Sequence, residues 1–158
     1  MDIIDGKILE ILAANANATT TEISAAINLS VPAVNKRIQK LQREGVICSF
    51  TVLTDGVRVG KPITAFIFLV MRYGEGVEAL QACVERDPDI LECHAVTGEY
   101  DYLIKVCAED VASLENKLLQ LKRQKGVVKS HTMLSLMEHK FQPTVLPTVK
   151  NEDREDRT

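Results

Sequence analysis

The sequence contains no Trp, and three Tyr and four Phe are its whole aromatic complement in 158 residues. So few rings leave few platforms for unpaired bases, which argues against a binder of single strands by stacking. There is no long apolar run either. The longest, Ile63 to Met71, falls far short of the roughly 20 residues that a membrane-spanning helix needs. The start, Met1-Asp2-Ile3-Ile4-Asp5, has no basic n-region, so no membrane span or export signal is expected and the chain reads as cytoplasmic. The cysteines Cys48, Cys83, Cys93 and Cys107 form no CxxC pair and fit no zinc spacing. Buried free thiols are expected, with no metal. Alternation places Cys93 and His94 on opposite faces of one strand, which speaks further against a shared metal ion.

Charge of one sign is lacking as well. The net charge of -3 excludes a protein that coats nucleic acid by bulk electrostatics. The local distribution is more telling. Between Ser30 and Ile47, Lys36, Arg37, Lys40 and Arg43 face only Glu44, so any nucleic-acid footprint is expected there.

What is present begins with three short helical patterns. Asp2 can cap a first helix that carries Ile4, Ile8, Ile11 and Leu12 on one stripe. Thr19 and Glu22 sit at the N-cap and N3 positions of a capping box opening a second helix, which is expected to bury Ile23, Ala26 and Ile27. Asn28-Leu29-Ser30 reads as a tight turn. Ser30 caps a third helix with Pro32 near its start, where proline is tolerated, and Gly45 ends it. Projected at 3.6 residues per turn, this helix puts Val31, Val34, Ile38 and Leu41 on one side. Ala33, Lys36, Lys40 and Arg43 lie opposite, with Pro32 and Gln39 beside them and Arg37 on the flank. Small residues at the helix start permit close approach to base edges, and the cations behind them suit phosphates, as for a helix placed in the major groove. The competing reading is a solvated basic face on an ordinary three-helix bundle. The candidate DNA-contact set is Pro32, Ala33, Asn35, Lys36, Arg37, Lys40 and Arg43, joined by Ser30 and by Thr19, Thr20 and Thr21 at the start of the second helix.

The period then changes. Ile47 to Leu53 reads as a strand, Thr54-Asp55-Gly56 as a turn and Val57 to Pro62 as a connector. Beyond it come a strand at Ile63 to Met71, a helix at Gly76 to Arg86, strands at Ile90 to Thr97 and Tyr102 to Cys107, a helix at Val111 to Gln124 and a strand at Val127 to His139. This βαββαβ order is the ferredoxin-like plan, with helices on one face of an antiparallel sheet. The first of these strands is apolar on both faces, so a second copy is expected to cover the face the helices leave open. Alternation in the last strand groups His131 and His139 with Met133, Ser135 and Met137.

The expected class is α+β: a winged-helix-like helix-turn-helix domain over residues 1–53, a hinge over 54–62, a ferredoxin-like oligomerisation domain over 63–141, and a tail over 142–158. From Lys150 onward the tail has no apolar residue to bury, and disorder is expected.

Between the second and third strands of the sheet lies Gly98-Glu99-Tyr100-Asp101. A glycine tolerates positive φ or close backbone approach, and an exposed carboxylate can pair with a ligand ammonium group. The same residues also suit a plain hairpin turn.

Taken together, the chain resembles the Lrp/AsnC (feast/famine) family of bacterial and archaeal transcription regulators. The resemblance rests on Asp2-Ile3-Ile4-Asp5 with Ile8-Leu9, on Leu29-Ser30 with Arg37-Ile38 and Leu41, on Glu44-Gly45-Val46-Ile47, and on Val96-Thr97-Gly98-Glu99-Tyr100-Asp101-Tyr102, in order across roughly residues 2 to 141. Two departures stand out. The Arg common in the linker between the first two helices is missing from Asn15 to Thr21, and Ile23-Ser24 stands where the family usually has Leu-Ala. The resemblance implies a regulator of double-stranded DNA whose dimers often assemble into octamers, and often an amino-acid effector bound between dimers. It places that effector at Thr97, Gly98, Tyr100 and Asp101, with Thr132 as a weaker candidate. Some tetrapyrrole-modifying decarboxylases share this two-domain layout, and a stand-alone effector sensor would also fit it. Against catalysis, the three His form no acid-base constellation and no nucleophile motif is visible; no cofactor is expected.

Overall fold

The computed structural model describes residues 1–148, so the expectation for the tail beyond them lies outside the described residues. The chain divides into two compact units, one of Met1–Val52 with the segment from Lys140, the other of Leu53–His139.

In the first unit, α1 (Ile3–Ala14), α2 (Thr20–Ile27) and α3 (Val31–Arg43) begin where side-chain oxygens satisfy their leading N–H groups. Asp2 accepts from the Asp5 amide, Thr19 closes a capping box with Glu22, and Ser30 accepts from the Ala33 amide. Between α2 and α3 the chain turns at Asn28, whose φ of 54° is left-handed, and the Ser24 hydroxyl bonds the Leu29 carbonyl. The core is Ile8, Leu12, Ile23, Val34 and Leu41, with Ile4, Ile11, Ile27, Leu29 and Ile38 packed around it. Burying each large aliphatic side chain contributes about 1.5–3 kcal/mol, enough in sum to fix three short helices that would not hold alone. Ala26, expected inside, is exposed: it sits beyond the narrow stripe that so short a helix can bury.

The stretch from Ile47 to Leu53 is not a strand. Ile47 packs on the helical core, but no ladder partner lies beside the segment among the described residues, and Phe50, Val52 and Leu53 are exposed.

The second unit runs β1 (Ile63–Met71), α4 (Val77–Arg86), β2 (Ile90–Ala95), β3 (Tyr102–Ala108), α5 (Val111–Lys122) and β4 (Val127–Leu134). The strand order is β2-β3-β1-β4, antiparallel throughout, which is the ferredoxin-like arrangement expected from the element order. Ala65, Ile67 and Leu69 of β1 and Ile104, Val106 and Ala108 of β3 point to one side, where Leu80 of α4 and Leu114 and Leu121 of α5 close the core. Helices α4 and α5 leave the opposite sheet face open. It presents Phe66, Phe68 and Val70 from β1, Leu103 and Lys105 from β3, and His131 and Met133 from β4.

Two strand ends differ from expectation. β4 stops at Leu134, which faces Ala65 near the start of β1, and the Ser135 amide makes a last bond to Thr64. Met137 and His139 therefore lie beyond the strand and share no face with His131. β2 ends at Ala95, two residues early, since Val96 already bonds across the hairpin to Asp101. All four cysteines are free, as expected, but Cys48 is exposed and the others are half-buried. Burial holds the thiols of Cys83 and Cys93 above their ordinary pKa, so neither supplies a reactive thiolate at neutral pH.

Candidate nucleic-acid interface and effector loop

The four cations of α3 fall into two groups. Lys36 and Arg43 are exposed and make no ion pair or hydrogen bond with the described residues. Arg37 instead turns back on α1, where its Nη1 reaches Asp2 Oδ2 at 2.6 Å and Asp5 Oδ1 at 2.7 Å. Lys40 stands between the groups, 45% exposed with its Nζ 3.9 Å from Asp5 Oδ2. Asp5 is 0% exposed. Hydrogen bonds to Asp2 and then to Asp5 raise the Arg37 pKa further above its already high value. The Asp5 amide, followed by the Arg37 side chain, holds the Asp2 carboxyl below the usual carboxylate range.

This clamp was not anticipated, although one signal was available. Asp5 shares the stripe of Ile8 and Leu12 on α1, and a charge at a buried stripe position requires a partner. The clamp bolts the start of α1 to the middle of α3. Pro32, Asn35 and Lys36 stay exposed on the far side, with Ala33 half-buried beside them. Of the other candidates, Thr19 is engaged in its capping box with Glu22 and Ser30 in its cap, while Thr21 is exposed and Thr20 half-buried.

In the second unit, Thr97 to Asp101 form the turn between β2 and β3. Gly98 has a φ of 119°, a region side chains rarely adopt, and open space where a Cβ would stand. Asp101 ties the turn to the end of β1: its amide bonds the Leu69 carbonyl at 2.9 Å, and its Oδ2 accepts from the Met71 amide at 2.7 Å. The turn is therefore built into the sheet. Tyr100 leans over the open face, its ring centroid 5.1 Å from Phe68 and 6.2 Å from His131, with Lys129 Nζ 5.7 Å from the ring and bonded to Glu99. Thr132 is not brought into this group. It pairs with buried Ile67, so its side chain points to the helix-covered side of the sheet, opposite His131.

Among the described residues no three His, Cys, Asp or Glu side chains are placed to hold a metal ion, and no helix is long and apolar enough to cross a membrane.

A helix-turn-helix with an exposed basic side, followed by a ferredoxin-like domain with a turn built into its sheet, defines a class: a DNA-binding module joined to a separate α+β module. Comparison with known proteins agrees. Residues 1–47 match the winged helix-turn-helix DNA-binding model, and residues 64–145 match the Lrp/AsnC ligand binding domain. The chain is 34% identical to the HTH-type transcriptional regulator FL11 of Pyrococcus furiosus, over 93% of this chain and 96% of that one. It is also 34% identical to the HTH-type transcriptional regulator LrpB of Bacillus subtilis, over 87% and 97%. Among solved structures, a complex of the Neisseria meningitidis transcriptional regulator NMB0573 with L-Met superposes with a TM-score of 0.87 at 28% identity, covering 92% of this chain and 96% of that one. The chain belongs to the Lrp/AsnC family and is a DNA-binding transcriptional regulator.

Proposed function

We propose that α3 enters the major groove of double-stranded DNA with Pro32, Ala33, Asn35 and Lys36 toward base edges and Lys40 and Arg43 at phosphates, while Thr19, Thr20, Thr21 and Ser30 meet the backbone beside it. The observation that carries this is the pair Lys36 and Arg43, exposed and unpartnered on the side of α3 away from its core. Arg37 belongs to the interface by holding α3 in place. In this proposal the protein acts in the cytoplasm by binding and not by catalysis, without a cofactor; relatives named as transcriptional regulators support the regulatory role.

The test is a mobility-shift titration on the DNA upstream of the protein's own gene and on random duplex, across a salt series. Arg43→Ala should weaken both complexes alike and lower the salt slope by about one unit. Lys36→Ala should cost the specific complex about 1–3 kcal/mol more than the random one. Salt-insensitive binding, or none, overturns the reading.

Thr97, Gly98, Tyr100 and Asp101 form the effector site in this proposal, and a small amino acid its ligand, taken up where homo-oligomers of the chain meet. Support comes from the Neisseria relative solved with L-Met and from Asp101, whose Oδ1 makes no hydrogen bond with the described residues and is open to an ammonium group. Thr132 takes no direct part, since its side chain leaves the loop's face. Calorimetry with each proteinogenic amino acid checks this. Asp101→Asn keeps an oxygen for the Met71 amide but removes the charge, and it should abolish the heat of binding while DNA binding persists. Failure of every amino acid to bind overturns the effector reading alone.

A further inference from the structure

Asp5 is the one polar or charged side chain in the buried set of the described residues, at 0% exposure. Its Oδ1 accepts from Arg37 at 2.7 Å, but its Oδ2 is buried and accepts no hydrogen bond. The Lys40 ammonium faces that oxygen at 3.9 Å, inside ion-pair range and beyond hydrogen-bond range. Buried polar atoms are otherwise nearly always paired, so this gap of roughly 1 Å needs a reason. Lys40 provides it, because it serves two sides. Its stem leaves α3 one turn after Lys36 and one turn before Arg43, so it belongs to the exposed cations as much as to the clamp. An ammonium has three donors and can satisfy a carboxylate and a phosphate at once.

We propose that Asp5 of α1 is a positioning residue for DNA recognition, whose buried carboxylate holds Lys40 from behind so that Lys40 bridges it to one backbone phosphate and sets the register of α3 in the groove. This rests on the reading of α3 as the DNA-facing helix. Asp2, Asp5, Arg37 and Lys40 form a closed group whose formal charges cancel, so the clamp adds nothing to indiscriminate attraction. Asp5 also works against loose complexes. A fixed negative charge behind the phosphate-facing side penalises any docking that draws Lys40 away, since the carboxylate would then lose the cation facing it. Only the register that lets Lys40 meet both partners escapes that penalty. Positioning contacts of this kind carry no base information themselves, yet they decide which base edges the helix start can reach.

The two roles open to Asp5 separate cleanly. A residue that merely stabilises the fold changes binding to all DNA by one factor. A positioning acid moves specific and random binding in opposite directions when its charge is removed. The experiment is a fluorescence-anisotropy titration of the full chain on its own upstream DNA and on random duplex of equal length, at several salt concentrations. The proteins compared are wild type, Asp5→Asn, Lys40→Ala and the double variant, with thermal melts run alongside. Asp5→Asn should raise affinity for random duplex about threefold at low salt, lower specific affinity about threefold, and so lower the specific-to-random ratio by about tenfold. In the Lys40→Ala background Asp5→Asn should change that ratio little, because the effect runs through Lys40. Equal factors on both DNAs, or additive effects in the double variant, overturn the proposal. If Asp5→Asn fails to fold, Lys40→Ala decides alone: it should lower the ratio, and an unchanged ratio overturns the proposal. Loss of salt-sensitive binding in the wild type itself would mark failure of the underlying reading of α3, and would be seen before any variant is compared.

Discussion

At the scale of single residues, close backbone approach sets the strictest demands. Gly76, the N-cap of α4, has a φ of 75°, and a Cβ there would lie 1.7 Å from the Lys125 carbonyl oxygen. Gly126 returns the approach, with its Cβ position 2.4 Å from the Glu75 carbonyl. These turns lock the start of α4 against the start of β4. Gly74 has a similar φ of 72° but open space where a Cβ would stand. Gly76→Ala should therefore lower unfolding free energy by about 2–4 kcal/mol, and Gly74→Ala by only about 1 kcal/mol. Urea denaturation of both variants checks this, and equal losses would mean that backbone conformation, not the clash, governs the site.

At the scale of elements, an ion network joins three pieces of the second unit. Lys117 of α5 reaches Asp87 at 2.7 Å and Asp89 at 3.0 Å, and Lys61, just before β1, pairs with Asp89. The side chains of Lys117, Asp87 and Asp89 are 13%, 17% and 19% exposed, so solvent screens them only in part. Hydrogen bonds from Lys61 and then Lys117 hold the Asp89 carboxyl below its ordinary 3.8. A depressed carboxyl contributes stability that is fully present above the unfolded value and is lost as pH falls through the folded one. For Lys117, burial acts to lower the pKa, but bonds to Asp87 and Asp89 outweigh it and raise the value above 10.5. That contribution is present below 10.5 and lost as pH rises through the folded value. Lys117→Met should cost about 1–3 kcal/mol at neutral pH by removing the cation that Asp87 and Asp89 share, and the cost should shrink as pH falls below 3.8 and Asp89 protonates. Chemical denaturation across pH tests it; a cost independent of pH would assign the effect to packing alone.

At the scale of the whole molecule, the sheet face that α4 and α5 leave open is the surface on which assembly can be tested. Phe66 and Phe68 lie half-buried on it beside exposed Met133 and His131. Apolar surface of this kind on a small chain favours burial against a second copy. In an isolated protomer Phe66→Lys can extend its ammonium to water, so the fold should survive. In a dimer closed over this face the charge would be buried without a partner. Sedimentation of the full chain should therefore show a dimer or larger assembly for wild type and a folded monomer for Phe66→Lys. A wild-type monomer at micromolar concentration would sink this model.

Much of this could be read from local chemistry. Helix starts were legible because capping is settled within four residues: Asp2 with Asp5, Thr19 with Glu22, Ser30 with Ala33. The βαββαβ order was legible because hydrophobic periodicity is local too, and right-handed geometry leaves few ways to close that order into one sheet. By itself, then, the sequence determined the three helices, the βαββαβ order, the family and the stretch of α3 that carries the cations. Tertiary structure decided what depends on residues far apart in the chain. It ended β4 at Leu134, opposite Ala65 near the start of β1, and left 47–53 without a ladder because none of the described residues pairs with it. It turned Thr132 to the covered face through its register with Ile67, and tied Asp101 to Met71 thirty positions away. It also sorted the four cations of α3, since only packing α1 against α3 brings Asp2 and Asp5 to Arg37 and Lys40 and leaves Lys36 and Arg43 facing water. A projection records angles around one helix axis, whereas an ion pair depends on distance to another helix, and only packing sets that distance.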